Sequence, residues 1–95
     1  MQMEDVIKRF RESNLPGTNR YRFRTFDNSF TGRSTVDWLV ENAVEAPKLL
    51  RAEAVNVGQE LMRLGVIQHV LKEQIFEDKP FLYNFIGVPN YTIFL

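Results

Sequence analysis

Residues 30–44 read FTGRSTVDWLVENAV, and the fold turns on how this stretch is read. Val36, Leu39, Val40 and Ala43 recur at three- and four-residue spacing, the apolar stripe of a helix that buries one face. Ser34 is placed to cap the helix N-terminus, with Asp37 three residues on, near the positive end of the dipole. Trp38 stands beside the stripe. The sole tryptophan of a small domain buries a large area, so it reads as a core or hinge-packing residue. Pro47, in EAPKLL (residues 45–50), breaks the pattern.

Working back from that helix, RYRFRTF (Arg20–Phe26) alternates arginine with mostly aromatic residues. As a strand it places Arg20, Arg22 and Arg24 on one face and Tyr21 and Phe23 on the other. Asp27-Asn28 then reads as a turn pair and Ser29-Phe30-Thr31 as a short return strand, together a small hairpin arm. Before the arm, Met3, Val6, Ile7 and Phe10 fall at i, i+3, i+4 and i+7, an amphipathic helix over roughly residues 3–14. Leu15-Pro16-Gly17 ends it, because proline disfavours a helical residue before it and glycine suits a C-terminal cap.

Working forward, Ala54, Val55, Gly58, Leu61 and Met62 mark one side of a third helix over about residues 51–64, stopped at Gly65. VIQHV (66–70), EQIF (73–76) and FLYNFI (81–86) read as short strands, with EDKP (77–80) a polar turn before the last. The order is helix, hairpin arm, helix, helix, then a short C-terminal β-sheet. It fits a winged-helix-like α+β domain with a three-helix core.

Ninety-five residues, 44% of them hydrophobic, suffice for one modest core, hence one domain, expected to be monomeric. Twelve basic side chains balance twelve acidic ones, but the balance is uneven along the chain. Residues 1–33 hold seven basic against four acidic side chains, a local charge of +3, so the remainder carries −3. There is no cysteine, which excludes disulfides, thiolate metal sites and a cysteine nucleophile, and fits a reducing, intracellular setting. No apolar run approaches a transmembrane span. His69, the sole histidine, sits in an apolar strand pattern and reads as a packed residue. The five glycines are scattered, so no phosphate-cradling loop is present, and metal-ligand spacing is missing. No enzyme chemistry, cofactor or metal is indicated.

Three stretches together carry a family resemblance: YRFRTFDNSFTGRSTVDWLVENAV (21–44), AVNVGQELMRLGVIQHV (54–70) and FEDKPFLYNF (76–85). Phe26, Phe30 and Gly32, then Val36-Asp37-Trp38-Leu39, Leu61 to Gly65, Ile67 to Val70, and Phe76, Asp78, Leu82, Tyr83 and Phe85 stand in the order of the DEP domain's pattern. The chain resembles this module, shared by Dishevelled, pleckstrin and regulators of G-protein signalling, over about residues 5–86. The resemblance implies three helices, a β-hairpin arm between the first two, and a C-terminal sheet, in a non-catalytic part of a signalling protein. It implies that Phe30, Trp38, Leu39, Leu61 and Tyr83 pack the core and that Gly32 serves a tight connection. Residues 1–87 would form the domain. The apolar VPNYTIFL, residues 88–95, falls outside the pattern as a tail or the start of a linker.

Function is then sought on the surface. Arg20, Arg22 and Arg24, with Arg33 or Lys8 nearby, suit anionic lipid headgroups or acidic partner residues, since the planar guanidinium grips phosphate or carboxylate in two bonds. The bland reading is that arginines on an exposed strand protect a sheet edge from pairing. The resemblance implies membrane targeting through acidic phospholipids and a cytoplasmic location peripheral to the inner face of the plasma membrane. It offers, as alternatives, recognition of a membrane-receptor tail or signalling partner, and dimerisation by exchange of segments. Winged-helix DNA binding ranks last. The third helix exposes Arg51, Glu53, Asn56, Gln59, Glu60 and Arg63, a mixed face, and phosphate affinity needs clustered basic groups, so nucleic acid is not an expected partner.

Overall fold

The computed structural model of the chain describes residues 3–42 and 49–87. The readings made above for Ala43, Pro47 and the tail at 88–95 lie outside the described residues. The elements run α1 (Met3–Arg11), β1 (Gly17–Tyr21), β2 (Arg24–Thr31), α2 (Gly32–Asn42), α3 (Arg51–Arg63), β3 (Ile67–His69) and β4 (Leu82–Phe85). The α+β class and its three helices follow the sequence reading. The arm and the C-terminal strands, however, are one antiparallel sheet in the order β1-β2-β4-β3, because β2 runs on past the arm to pair with β4, Phe30 opposite Tyr83.

Aromatic rings fill the junction of helices and sheet. Phe10 of α1 meets Phe30 and Phe85 edge-on at centroid distances of 5.2 and 5.0 Å, with Trp38 tilted against it at 5.3 Å. Val6, Val36, Leu39, Ala54, Leu61, Ile67 and Tyr83 complete the buried cluster. Of the residues assigned to the core, Phe30, Leu39, Leu61 and Tyr83 are fully buried, while Trp38 is half-buried at its margin.

Local chemistry sets the boundaries. The cap of α2 is Thr31 rather than Ser34: its Oγ1 accepts the Ser34 backbone N–H at 2.9 Å, so the helix starts three residues earlier than the sequence suggested. Ser34 instead donates to the Thr31 carbonyl. At the start of α3 the Glu53 carboxylate accepts the Leu50 N–H at 2.9 Å. Its end is a Schellman motif, with Gly65 at φ +77°, the Gly65 N–H on the Met62 carbonyl and the Val66 N–H on the Leu61 carbonyl.

Gln74–Phe76 form no strand, contrary to the reading of EQIF. Phe76 is buried, and the segment is held by side chains instead of a ladder. The Tyr83 hydroxyl donates to the Ile75 carbonyl at 2.6 Å and accepts the Glu77 N–H at 3.2 Å. Burial of that hydroxyl pushes the Tyr83 pKa up to about 12.

Candidate functional site

The hairpin arm turns inside the run of arginines. Tyr21 pairs with Arg24 and Arg20 with Thr25, which makes Arg22-Phe23 a two-residue loop, and both adopt positive φ, 50° and 65°. That is the type I′ geometry whose twist matches the flanking strands, here built without the usual asparagine or glycine. RYRFRTF is therefore two strand ends and a turn, and its three arginines do not share a face. Arg20 lies beside Thr25 on one face, Arg24 beside Tyr21 on the other, and Arg22 sits at the apex.

Asp27-Asn28, read as the turn, is a β-bulge: between Asn19↔Phe26 and Gly17↔Ser29 the second strand carries one extra residue, with Asn28 at φ 54°. The asparagine amide of Asn19 donates to the carbonyl and the hydroxyl of Ser29 at 2.9 and 3.0 Å, fixing the base of the arm.

One face of the arm rests on the domain. Tyr21 packs edge-on to His69 at 5.8 Å, and Arg24 lies over the ring of Phe26 at 5.1 Å. His69 is buried, flanked also by Phe81 and Tyr83. Its Nδ1 accepts the backbone N–H groups of Leu71 and Glu73, and burial pushes its pKa down, against the opposing influence of the Glu73 carboxylate. It is a packed residue that shapes the 69–73 turn, as the sequence pattern indicated. That turn delivers Glu73 to Arg22 as an exposed ion pair of 2.9 Å.

The apex carries a residue the search for charge passed over. Phe23 is 92% exposed, bracketed by the exposed Arg22 and Arg24. Reading the run as one strand had placed this ring on one face with Tyr21, opposite the arginines. The signal for a turn was weak, since neither Arg nor Phe favours positive φ.

Arg33 and Lys8 are not on the arm. Arg33 is exposed in the first turn of α2, its backbone N–H on the Lys79 carbonyl and its charge helping hold the Asp78 carboxyl low. Lys8 lies on the outer face of α1 in a shallow cleft with Asp5, Arg9 and Glu12.

The α3 arginines are engaged with carboxylates. Arg51 forks onto Asp78 with two bonds of 2.9 Å and reaches Asp37 at 2.6 Å, tying α2, α3 and the 77–80 turn together. The Asp78 hydrogen bonds hold the Arg51 guanidinium further above its ordinary pKa, and Arg51 in turn holds Asp78 below its own. Arg63 pairs with Glu60 one turn back. Such a face offers phosphate little uncompensated charge. Among the described residues, no three His, Cys, Asp or Glu side chains are grouped to hold a metal ion, and no helix is long and apolar enough to cross a membrane.

An α+β domain that gathers an exposed aromatic ring and three exposed arginines on one hairpin has the form of an interaction module. The chain belongs to the DEP family, the domain found in Dishevelled, Egl-10 and pleckstrin, whose model matches residues 16–85. Human phosphatidylinositol 3,4,5-trisphosphate-dependent Rac exchanger 2 protein is 33% identical over 76 residues, spanning 79% of this chain and 4% of that protein. Mouse lysosomal cholesterol signaling protein is 34% identical over 73 residues, 77% of this chain and 8% of the other. The vacuolar membrane-associated protein iml1 of Aspergillus clavatus is 38% identical over 65 residues, 68% and 3% respectively. The chain thus spans less than a tenth of the length of these relatives. The solved DEP domain of human pleckstrin superposes with a TM-score of 0.75 at 20% identity, covering 96% of this chain and 80% of that one. That of mouse pleckstrin gives 0.69 at 22% identity, covering 90% and 85%.

Proposed function

We propose that the arm docks its host protein on anionic membrane surfaces, tip first. The observation that carries this is Phe23, 92% exposed at the apex between two arginines. An aromatic ring gains by leaving water for the headgroup–acyl boundary, up to about 1.5–3 kcal/mol if fully buried. Guanidinium groups beside it meet phosphates, each contributing about 1 kcal/mol near an anionic leaflet. A tip-on approach uses Arg20, Arg22 and Arg24 although they face different ways, because Arg20 is only about 7 Å of strand from the apex. Three such charges supply roughly 3 kcal/mol, a little over a hundredfold in partitioning. This is weak alone and suffices beside a second membrane contact of the host, since linked sites multiply. Two relatives, a vacuolar membrane-associated protein and a lysosomal cholesterol signaling protein, bear names that agree with a membrane-proximal role.

The Arg22–Glu73 pair favours a second reading, in which an acidic segment of a membrane receptor or signalling partner takes the place of Glu73 on the same tip. Sedimentation with phosphatidylserine vesicles separates the two. The chain is expected to bind at low salt and poorly at about 0.5 M, where screening shortens the interaction to a few ångströms. Phe23→Ser and the triple change of Arg20, Arg22 and Arg24 to Glu are each expected to abolish binding with little change in melting, as these positions are exposed. Undiminished binding by both variants would refute the membrane role and leave the acidic-partner reading in front.

A further inference from the structure

Thr25 follows Arg20, Arg22 and Arg24 at five, three and one residues. No other described serine or threonine has arginine at both the fifth and third preceding positions. Thr25 is also exposed, whereas Ser29 and Thr35 are buried. A kinase that selects substrates by charge lines its peptide groove with carboxylates, and guanidinium groups at fixed offsets from the hydroxyl dock there in two-bond forks. We infer that Thr25 is a phosphorylation site for an arginine-directed serine/threonine kinase, and that its phosphate offsets most of the charge of the arm tip. The second half of this inference rests on the membrane reading above; the first does not.

The step transfers the γ-phosphoryl group of ATP. As the bond from Thr25 Oγ1 to phosphorus forms, the bond to the leaving ADP breaks, and the hydroxyl proton passes to a carboxylate of the kinase. A kinase groove takes its substrate extended, so the tip must leave the ladder for this to occur. β1 is an edge strand paired with β2 alone, and the two loop residues hold positive φ without being glycine. Such a two-stranded end opens locally at far less cost than global unfolding. Phe26, 2% exposed, keeps β2 seated from that residue onward, so it is β1 that peels away, releasing the Asn19–Ser29 bonds and freeing Arg20–Thr25 to extend.

Back in the ladder, Thr25 is the direct cross-strand partner of Arg20, within reach of its guanidinium. The hydrogen-bonded Thr18–Asp27 pair is next on that face, and the Asp27 charge opposes the phosphate. A phosphate adds about −1.5 to −2 charges, so the three positive charges of the tip fall to roughly one. Each charge near an anionic leaflet is worth about fivefold in partitioning, which makes the loss roughly 10- to 30-fold.

The test uses the 95-residue chain, ATP and the catalytic domain of a kinase selected for arginine at the fifth and third preceding positions. Intact-mass and fragmentation measurements are expected to show one phosphate, on Thr25, absent from Thr25→Val and incorporated at least tenfold more slowly by Arg20→Gln or Arg22→Gln. Failure to label Thr25, or labelling indifferent to both arginines, overturns the site. Both forms are then compared on phosphatidylserine vesicles, the phosphorylated one expected to partition about 10- to 30-fold less. Equal binding of the two forms overturns the charge switch. Labelling of Thr25 in a chain that binds no vesicles in either form upholds the site and refutes the membrane reading.

Discussion

Gly32→Ala tests the packing that carries the DEP pattern's glycine. Gly32 is the first residue of α2, and the loop ahead of β4 lies directly on it: its N–H donates to the Phe81 carbonyl and that of Arg33 to the Lys79 carbonyl, both at 3.0 Å. A Cβ at Gly32 would fall 2.0 Å from the Glu77 carbonyl oxygen and 3.1 Å from both the Lys79 oxygen and the Tyr83 ring. The nearest of these is backbone, so no rotamer change relieves the clash; the loop must retreat by about an ångström or α2 must tilt. Overpacking of this kind costs about 1–3 kcal/mol, and loosening the two hydrogen bonds adds about 1 kcal/mol. Opposing this, alanine restricts the unfolded chain and favours helix, together worth about 1 kcal/mol. The net expectation is a loss of about 1–3 kcal/mol, a large share of a small domain's roughly 5–14 kcal/mol. Urea melts measure it as a midpoint lowered by about 1 M or more at unchanged m. Gly17→Ala is the control: no atom lies within 4 Å of its would-be Cβ, so its change should stay within about 0.5 kcal/mol. A Gly32→Ala chain as stable as the parent would refute the reasoning.

Two further changes probe other joints of the fold. Trp38→Ala is expected to cost about 2 kcal/mol in the same melts, less than a fully buried tryptophan, because the ring is half-buried against Phe10; a change below about 0.5 kcal/mol would mean that this contact contributes nothing. His69 has a folded pKa below its ordinary 6.5, so the stability it contributes is present above that value and is lost as pH falls towards the folded pKa. Protonating Nδ1 would also set a new N–H against those of Leu71 and Glu73. The melting temperature of the parent should therefore decline from pH 7 to pH 5 and that of His69→Gln should not. Asp78 and Glu60, whose pKa values are depressed by their arginines, act below this window. Parallel profiles for the two chains would contradict this account of His69.

The helices were legible because their apolar spacing reports burial directly: Val6, Phe10, Val36, Leu39, Ala54 and Leu61 are all buried where the period placed them. Their ends were less so. Thr31 and Ser34 are both good caps, and the choice between them was made by Gly32, which must lie under the 77–81 loop and so has to be helical already. EQIF carried strand-like residues, but its partners are a tyrosine hydroxyl from β4 and the Gln59 amide from α3, long-range contacts with no local signature.

The arm shows why the composition of a site is easier to read than its geometry. In a hairpin with a two-residue loop, each residue pairs with one of opposite parity, here Arg20 with Thr25 and Tyr21 with Arg24. Even-numbered positions on one strand therefore share a face with odd-numbered positions on the other. A period-2 pattern that continues through such a turn is inverted by it: Arg20 and Arg24 part, and Phe23, counted with the inward ring of Tyr21, becomes the apex. Neither Arg22 nor Phe23 announces positive φ, so the turn was assigned to Asp27-Asn28, where Asn28 does adopt it, but as a bulge. The charge count survived this error and the face did not. What selects Arg22-Phe23 as the loop is the register fixed from below, by Phe26 in the core, by Ser29 bonded to Asn19, and by Phe30 opposite Tyr83. With those positions set, six residues remain between Asn19 and its partner Phe26. A two-residue turn is what closes them into strands, and the ring left at its apex has no neighbouring side chain to cover it.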